Sequence, residues 1–177
     1  MIRFASILAL LLPVAAWSQS VEDAARANAA LALQLCIQPH VQPAARAQMF
    51  RNAGFGERVE RSSMNSDTTH YFAAPADTVR VELYYGEMPE HCIVSSNHLG
   101  VTGAAAVLDS VVPRLYPGFV RQVVQGAPNS ATGQPVQCVI YQDPANPIGL
   151  EIGVNAAGGA QGCVENGTSL FYQTYRV

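Results

Sequence analysis

The sequence predicts an α+β domain in which an antiparallel sheet carries N-terminal helices and one mid-chain helix on one face. Two segments near the N-terminus and one in the middle have apolar residues at helical spacing. In most of the remaining chain, apolar and polar residues alternate with a period of two, which is typical of strands. Four cysteines are spread along the chain and predict two disulfides. Fold class and covalent framework therefore rest on three separate patterns.

The N-terminus has the features of a secretory signal peptide. Arg3 gives a positive start, residues 4–14 are mostly apolar, and Val14-Ala15-Ala16 provides the small residues of a cleavage site. Cleavage after Ala16 or after Ser18 fits this pattern, and the apolar stretch is shorter than the roughly 20 residues of a membrane-spanning helix. We therefore expect a signal peptide over residues 1–18, the alternative being a buried first helix.

Residues 19–177 have the length and composition of one exported domain. Hydrophobic residues make up 49% of the chain and charged residues 13%, which is the balance of a globular protein. Loss of Arg3 with the signal peptide leaves nine basic and 13 acidic residues, a net charge of −4. This mildly acidic balance disfavours nucleic-acid binding. The nearest approach to a basic patch is interleaved with Glu57 and Glu60 and is expected to be a solvated face: Arg51, Arg58 and Arg61.

All ten basic residues are arginine, which suggests a GC-rich bacterial genome and hence a periplasmic or secreted protein. In such an oxidising compartment, four cysteines usually form two disulfides. Of the three possible connectivities, we favour Cys36–Cys92, which would join the end of a helix to a strand, and Cys138–Cys163, which brackets a β segment. Metal binding and thiol catalysis are the alternatives, but the chain has no C-x-x-C pair and no zinc-binding spacing.

The first helix is predicted to begin after Ser20, which with Asp23 resembles a capping box, and to end before Pro39. Apolar residues at helical spacing define its expected buried stripe: Ala24, Ala27, Leu31 and Leu35. A second short helix starts near Pro43 and is capped by Gly54. Its expected buried residues are Ala47 and Phe50.

Strand-like alternation follows from residue 55 to residue 85, with a turn at 75–77. Residues 92–96 form a further strand, and a third helix is predicted over 102–112, ended by Pro113 and Pro117-Gly118. A loop rich in Gly, Pro, Asn and Ser covers residues 126–135. The last third predicts three strands, at 135–141, 148–154 and 169–177.

Three residues mark a candidate binding cleft: His70, His98 and Glu151. Glu151 is expected to share a strand face with Gly149 and Gly153, whose small size would leave open space above the sheet. The alternative is a site where another part of the chain approaches closely. His70 lies on an apolar strand face, where a hydrogen-bonded core histidine is the alternative to a functional one.

A serine hydrolase is the rival functional hypothesis. Ser95 and Ser96 precede His98 where a strand gives way to a helix, and His98 or His70 could activate one of these hydroxyls, with Asp109 orienting His98. The glycines of a nucleophile elbow are missing, and helical spacing keeps Asp109 about three turns from His98. The sequence therefore assigns no catalytic residue. The four histidines have no metal-binding spacing either, so no metal or cofactor is expected.

The predicted strands are rich in tyrosine: Tyr84, Tyr85, Tyr141, Tyr172 and Tyr175. Such rings bury area while keeping a polar tip, which suits a contact surface for a protein or a carbohydrate, although strand propensity alone also explains them. The leading hypothesis is an exported, disulfide-stabilised domain that binds a protein or cell-envelope component.

A helix-terminal cysteine, the sequence Ala53-Gly54-Phe55 after a short helix, and a cysteine-bearing strand make the chain resemble small uncharacterised exported proteins of GC-rich bacteria. The resemblance is one of composition. It implies no catalytic residue and no cofactor.

Overall fold

The computed structural model of the protein describes residues 20–86, 90–146, 148–158 and 162–175. This part of the chain forms three α-helices and an eight-stranded antiparallel sheet, so the predicted α+β class is confirmed. The predicted signal peptide at 1–18 lies outside the described residues. Among the helices described, none combines the length and the apolar character needed to cross a membrane.

The helices and strands have clear bounds. The helices are α1 (Val21–Ile37), α2 (Pro43–Asn52) and α3 (Val101–Leu115). The strands are β1 (Gly56–Arg61), β2 (Thr68–Ala73), β3 (Arg80–Tyr85), β4 (His91–Ser96), β5 (Val120–Pro128), β6 (Pro135–Gln142), β7 (Leu150–Asn155) and β8 (Ser169–Tyr175). Their order across the sheet is β1-β2-β3-β4-β8-β7-β6-β5. The chain therefore has two halves, each with helical structure followed by four strands, which meet where β4 pairs with β8.

Helix α1 begins as its sequence predicts, but it buries a different stripe. Ser20 is the N-cap, and its hydroxyl accepts a hydrogen bond from the Asp23 backbone N–H at 3.1 Å. The prediction that Ala27 and Leu31 face the core is wrong, since both are exposed. The most deeply buried residues of α1 are Ala25, Ala29, Ala32, Leu33, Cys36 and Ile37. The helix is apolar on several sides, so periodicity alone did not define the buried side.

Helix α2 begins and ends close to its predicted bounds, whereas helix α3 extends beyond its predicted end. In α2, Ala47 and Phe50 are buried as predicted, and Gly54 follows the helix with a positive φ of 83°. Helix α3 does not stop at Pro113, the first predicted stop signal, but continues to Leu115 and ends before the second, Pro117-Gly118. Pro113 lies in the last turn, which the Tyr116 N–H still closes by donating to the Val112 carbonyl at 2.8 Å.

Strand β5 has no counterpart in the sequence prediction, which placed a loop from residue 126 onward. The strand runs antiparallel to β6 and contains a bulge between Gln125 and Pro128. Its sequence does not alternate strictly, because Val123 and Val124 are adjacent. An edge strand that is exposed on both faces has no need for such alternation, which explains why the period-two pattern missed it.

All three helices pack against the same face of the sheet. Alternate side chains of β2, β3, β4, β6, β7 and β8 join a single core with the helices. Among them are Phe72, Leu83, Val94, Phe171 and Ile152, each no more than 2% exposed. The opposite face carries no helix in the described chain, and we call its part on β1–β4 the open face. Its residues, from register, are Gly56, Arg58, Glu60, Thr69, Tyr71, Ala73, Arg80, Glu82, Tyr84, His91, Ile93 and Ser95.

Two disulfides connect the pairs of cysteines that the sequence favoured. Cys36 at the end of α1 is bonded to Cys92 in β4, and Cys138 in β6 is bonded to Cys163 in the loop before β8. The Cα atoms of each pair are 5.5 Å apart. The first bond fixes a helix to the middle of the sheet, and the second fixes a long loop to the β5–β6 side.

We expect the loss of Cys36–Cys92 to reduce stability more than the loss of Cys138–Cys163. The two bonds join residues 56 and 25 positions apart. Because each bond restricts the unfolded chain, the loop-entropy relation gives a stabilisation of about 4 kcal/mol for the first bond and about 3.5 kcal/mol for the second. The first bond also holds α1 on the core. Denaturant unfolding of the paired Cys→Ala variants measures both losses. An unchanged free energy of unfolding in the C36A/C92A variant would contradict the structural role assigned to this bond.

Candidate functional site

The three residues of the predicted cleft do not lie together. His70 is on β2 and faces the helices, whereas Glu151 is on β7 and faces the other side of the sheet. Three strands separate β2 from β7, which places the two residues about 19 Å apart across the sheet. His98 lies in the exposed connection between β4 and α3. No single depression can therefore be lined by all three.

His70 is a buried core histidine held by hydrogen bonds. It is 6% exposed, and its Nδ1 lies 2.5 Å from a Glu57 carboxylate oxygen while its Nε2 lies 2.8 Å from the Tyr85 hydroxyl. Its ring stacks on both Phe72 and Tyr85. Arg51 donates to the same Glu57 oxygen at 2.7 Å. This network ties β1, β2, β3 and the end of α2 together, and it satisfies the polar atoms of His70 without a ligand.

The network also shifts the ionisation of Glu57. Burial by itself raises the pKa of this carboxyl, but the hydrogen bonds from His70 and Arg51, together with their charges, outweigh burial and hold the pKa below its usual value of 4.5. Glu57 is therefore a structural anion within the β1–β2–α2 packing.

The space predicted around Glu151 is filled. Glu151 is 5% exposed, and the Tyr172 hydroxyl donates to one of its carboxylate oxygens at 3.3 Å. A Cβ atom at Gly153 would lie 2.4 Å from the Tyr172 ring, so this glycine makes room for the tyrosine. A Cβ at Gly149 would likewise meet the Asn146 side chain. The glycines thus permit close approach of neighbouring groups, which was the alternative interpretation of the sequence.

The side chains of the Ser, His and Asp residues in the hydrolase hypothesis, all of which lie in the described ranges, make no hydrogen bonds to one another. The buried Ser96 hydroxyl donates to the Thr78 carbonyl at 2.8 Å and accepts the His98 backbone N–H at 3.2 Å. Ser95 points to the open face, on the other side of β4. The His98 side chain is exposed.

Asp109 is engaged elsewhere on α3. Its carboxylate accepts two hydrogen bonds from the Arg121 guanidinium, at 2.8 and 3.2 Å, and one from the Tyr141 hydroxyl at 2.9 Å. Burial raises the pKa of Tyr141 to about 12, and the bond to Asp109 adds to the effect. The cluster connects α3 to β5 and β6, and it leaves Asp109 away from His98.

The structure assembles polar and aromatic side chains instead on the open face. Pairing of β1, β2, β3 and β4 sets two rows of residues side by side across the strands. One row is Arg58, Tyr71, Glu82 and Ile93, and the next is Glu60, Thr69, Tyr84 and His91. Alternation along each strand projects all of these side chains to the face without helices.

Within the first row, Arg58 and Tyr71 form a stacked pair. The guanidinium carbon lies 4.3 Å from the centre of the Tyr71 ring, and the same guanidinium pairs with Glu60. Burial raises the pKa of the Tyr71 phenol, as do the charges of Glu82 and Glu60. The phenol therefore stays protonated and is a hydrogen-bond donor at neutral pH.

In the adjoining positions, Glu82, Tyr84 and His91 form a second contact group. The His91 ring stacks on the Tyr84 ring, with centres 5.0 Å apart and planes 12° apart. The His91 Nε2 lies 3.2 Å from a Glu82 carboxylate oxygen. Tyr84 itself is only 7% exposed, so Glu82 and His91 are the members of this group that are accessible on the open face.

An open depression of about 670 Å³ lies beside the Arg58–Tyr71 pair. Two small residues, Gly56 and Ala73, are part of its lining. The space above Gly56 is open, because a Cβ atom added there would meet only the Ala73 carbonyl oxygen, at 3.9 Å. Arg80 lies at its rim, in a two-pronged ion pair with Asp77. The lining residues are Gly56, Glu57, Arg58, Tyr71, Phe72, Ala73, Asp77, Arg80 and Val81. This depression and the two adjoining contact groups form the candidate site.

The sequence did not identify this site, since the cleft that it predicted lay elsewhere and Tyr71 is not among the tyrosines that it singles out. Of the tyrosines that it singled out, Tyr84 and Tyr172 face away from the helices, Tyr85 and Tyr141 face them, and the side chain of Tyr175 lies outside the described residues. Arg58 was assigned to a solvated face with no role. Alternation within β1 and β2 could have placed Arg58 and Tyr71 on the same face, but their adjacency depends on the strand register.

Two further results bear on the identity of the site. In the ranges that the structure describes, no group of three or more His, Cys, Asp or Glu side chains is arranged to hold a metal ion. Comparison of the chain with protein-family models, with curated proteins and with solved structures finds no match. The site therefore has to be interpreted from its own geometry.

We expect Glu57→Gln to reduce the acid sensitivity of the fold. Because the folded-state pKa of Glu57 lies below 4.5, its contribution is present above pH 4.5 and is lost as the pH falls through that lower value. The variant should lose about 1–3 kcal/mol at neutral pH and a smaller amount in acid. Urea unfolding at several pH values measures the difference. The exposed neighbour variant Glu60→Gln is the control, and equal behaviour of the two variants would contradict this role.

Proposed function

We propose that the protein is an exported binding domain that uses its open face to contact a protein partner of the cell envelope or its surroundings. The observation that carries the proposal is the Arg58 guanidinium stacked on Tyr71 at the edge of an open depression. Arginine and tyrosine are enriched among the residues that dominate binding energy at protein interfaces.

The surrounding charges favour a partner of mixed polarity. Arg58 and Arg80 are balanced by the carboxylates of Glu60, Glu82 and Asp77, so the open face has no large excess of either sign. Nucleic acid requires a positive surface, and that class of partner is disfavoured. A polypeptide can use the guanidinium, the phenol and the carboxylates together.

The covalent framework supports the exported location within this proposal. Disulfides persist in the periplasm and outside the cell, whereas cytosolic proteins are kept reduced. Both pairs of cysteines are bonded here, and none of the four is a free thiol. We propose a periplasmic or secreted protein, in agreement with the signal-peptide pattern of residues 1–18.

The proposal predicts that Tyr71→Ala weakens partner capture. Immobilised protein would be incubated with a native envelope extract of the producing bacterium, and the captured species quantified by mass spectrometry. A tyrosine at the centre of an interface contributes enough that the variant should bind roughly 30-fold more weakly. Met64→Ala is the matched control, since Met64 is 93% exposed outside the open face. Equal capture by Tyr71→Ala, or no reproducible capture by the wild-type protein, would contradict the proposal.

The serine-hydrolase alternative leads to a different result. A serine nucleophile needs a base in hydrogen-bonding contact, and the hydrogen bonds of Ser96 go instead to backbone groups. We therefore expect no labelling of the folded protein by a serine-directed phosphonate probe, as measured by intact mass. Stoichiometric labelling that Ser95→Ala or Ser96→Ala abolishes would contradict the binding proposal and establish the alternative.

A further inference from the structure

Strand β5 is an edge strand with exposed apolar side chains. It is the last strand of the sheet, so its outer backbone groups have no partner strand in the described chain. Val120, Val123 and Val124 are 49%, 43% and 44% exposed. These are three of the seven large apolar side chains found exposed in the described ranges, the others being Val21, Leu31, Met64 and Ile148.

The exposed valines lie on both faces of β5. Val123 pairs with Val139, whose side chain belongs to the core beneath the helices, whereas Val124 pairs with Cys138 on the opposite side. A helix or loop packed on one face would cover only one of the two. A strand added alongside β5 would cover Val123 and Val124 together, and it would also satisfy the outer backbone groups.

The other edge of the sheet is protected in a way that β5 is not. Strand β1 carries four charged side chains among its six residues: Glu57, Arg58, Glu60 and Arg61. Charges on an edge strand prevent pairing with other chains. Strand β5 has one charged residue, Arg121, and the bidentate contact with Asp109 of the same chain neutralises it.

We propose that β5 pairs antiparallel with β5 of a second copy of this chain, which joins the two sheets into one. A two-fold axis perpendicular to the sheet keeps both sets of helices on the same side and places Val123 opposite Val123 of the second copy. In this register Val124 faces Gln122 of the other copy, and Arg121 faces Gln125. The pairing follows from strand geometry, since opposed residues in an antiparallel ladder point to the same face.

The length of β5 that is available fits this register. The loop with Cys163 crosses one face of the strand at Gly126, where a Cβ would lie 1.8 Å from the Cys163 carbonyl oxygen, and the Ala127 N–H donates to that oxygen at 3.1 Å. Regular pairing with β6 also ends after Gln125. The stretch from Val120 to Gln125 therefore remains for a partner, and pairing centred on Val123 uses residues 121–125 of each copy.

A second copy fits this edge better than an unrelated segment for electrostatic and geometric reasons. The two Arg121 side chains would be four residues apart along the strands, about 14 Å, which exceeds the Debye length of about 8 Å at physiological salt. Pairing through identical edges closes the assembly, because only the charged β1 edges remain outside. Pairing of β5 with β1 would instead bury the β1 charges and continue without limit.

The test is the mass of the oxidised full-domain protein in solution, measured by sedimentation over a range of concentrations. We expect a dimer for the wild-type chain and a monomer for Val123→Lys, which places two like charges opposite each other. Met64→Lys, an equal change at an exposed position outside β5, should remain a dimer. A wild-type monomer at every concentration, or a dimer that persists in Val123→Lys, would overturn the proposal.

A cysteine variant tests the register without relying on a destabilising charge. Directly opposed residues of antiparallel strands have Cα atoms about 4.5–5.5 Å apart, within the range that a disulfide can bridge. Val123→Cys should therefore give a covalent dimer on mild oxidation, whereas Met64→Cys should not. Absence of the cross-link in folded Val123→Cys would overturn the proposed pairing.

Discussion

The bond between Cys36 and Cys92 is the constraint on which the rest of the structure depends. It ties the last turn of α1 to β4, which lies in the middle of the sheet. The other two helices converge on the same place: the Tyr116 hydroxyl after α3 donates to a carbonyl at the end of α1, and Arg46 of α2 does the same while it pairs with Glu90 before β4. The disulfide, two hydrogen bonds and one ion pair therefore bring all three helices together at the C-terminal end of α1.

This arrangement limits what the helices can cover. Eight strands place the outer two about 34 Å apart, and the three helices pack on one face only. The opposite face and the outer strands are left to interact with something else. On β1–β4 that exposed area carries the Arg58–Tyr71 pair, and on β5 it carries valines. Both proposals for this protein arise from the one-sided helical cover.

The sequence predicted the parts of the fold that depend on local pattern. The Ser20 cap, the alternation that buries His70, and the pairing Cys36–Cys92 were all accessible from residue type and spacing. Features that depend on the register between neighbouring strands could not be predicted from the sequence. Gly153 appears in the sequence as open space, yet the Tyr172 ring from the neighbouring strand occupies that space. Strand β5 was missed because an exposed edge needs no alternation. The candidate site could not be predicted for the same reason, because its residues come from four strands and meet only through their register.

The most direct test of this account is a peptide map of the native protein under non-reducing conditions, analysed by mass spectrometry. The account predicts no free thiol and two cross-linked peptide pairs, one joining Cys36 to Cys92 and the other joining Cys138 to Cys163. Recovery of four free thiols, or of any other pairing, would contradict it. In that case α1 would lack its covalent link to β4, and the oxidising location proposed for the protein would lose its main support.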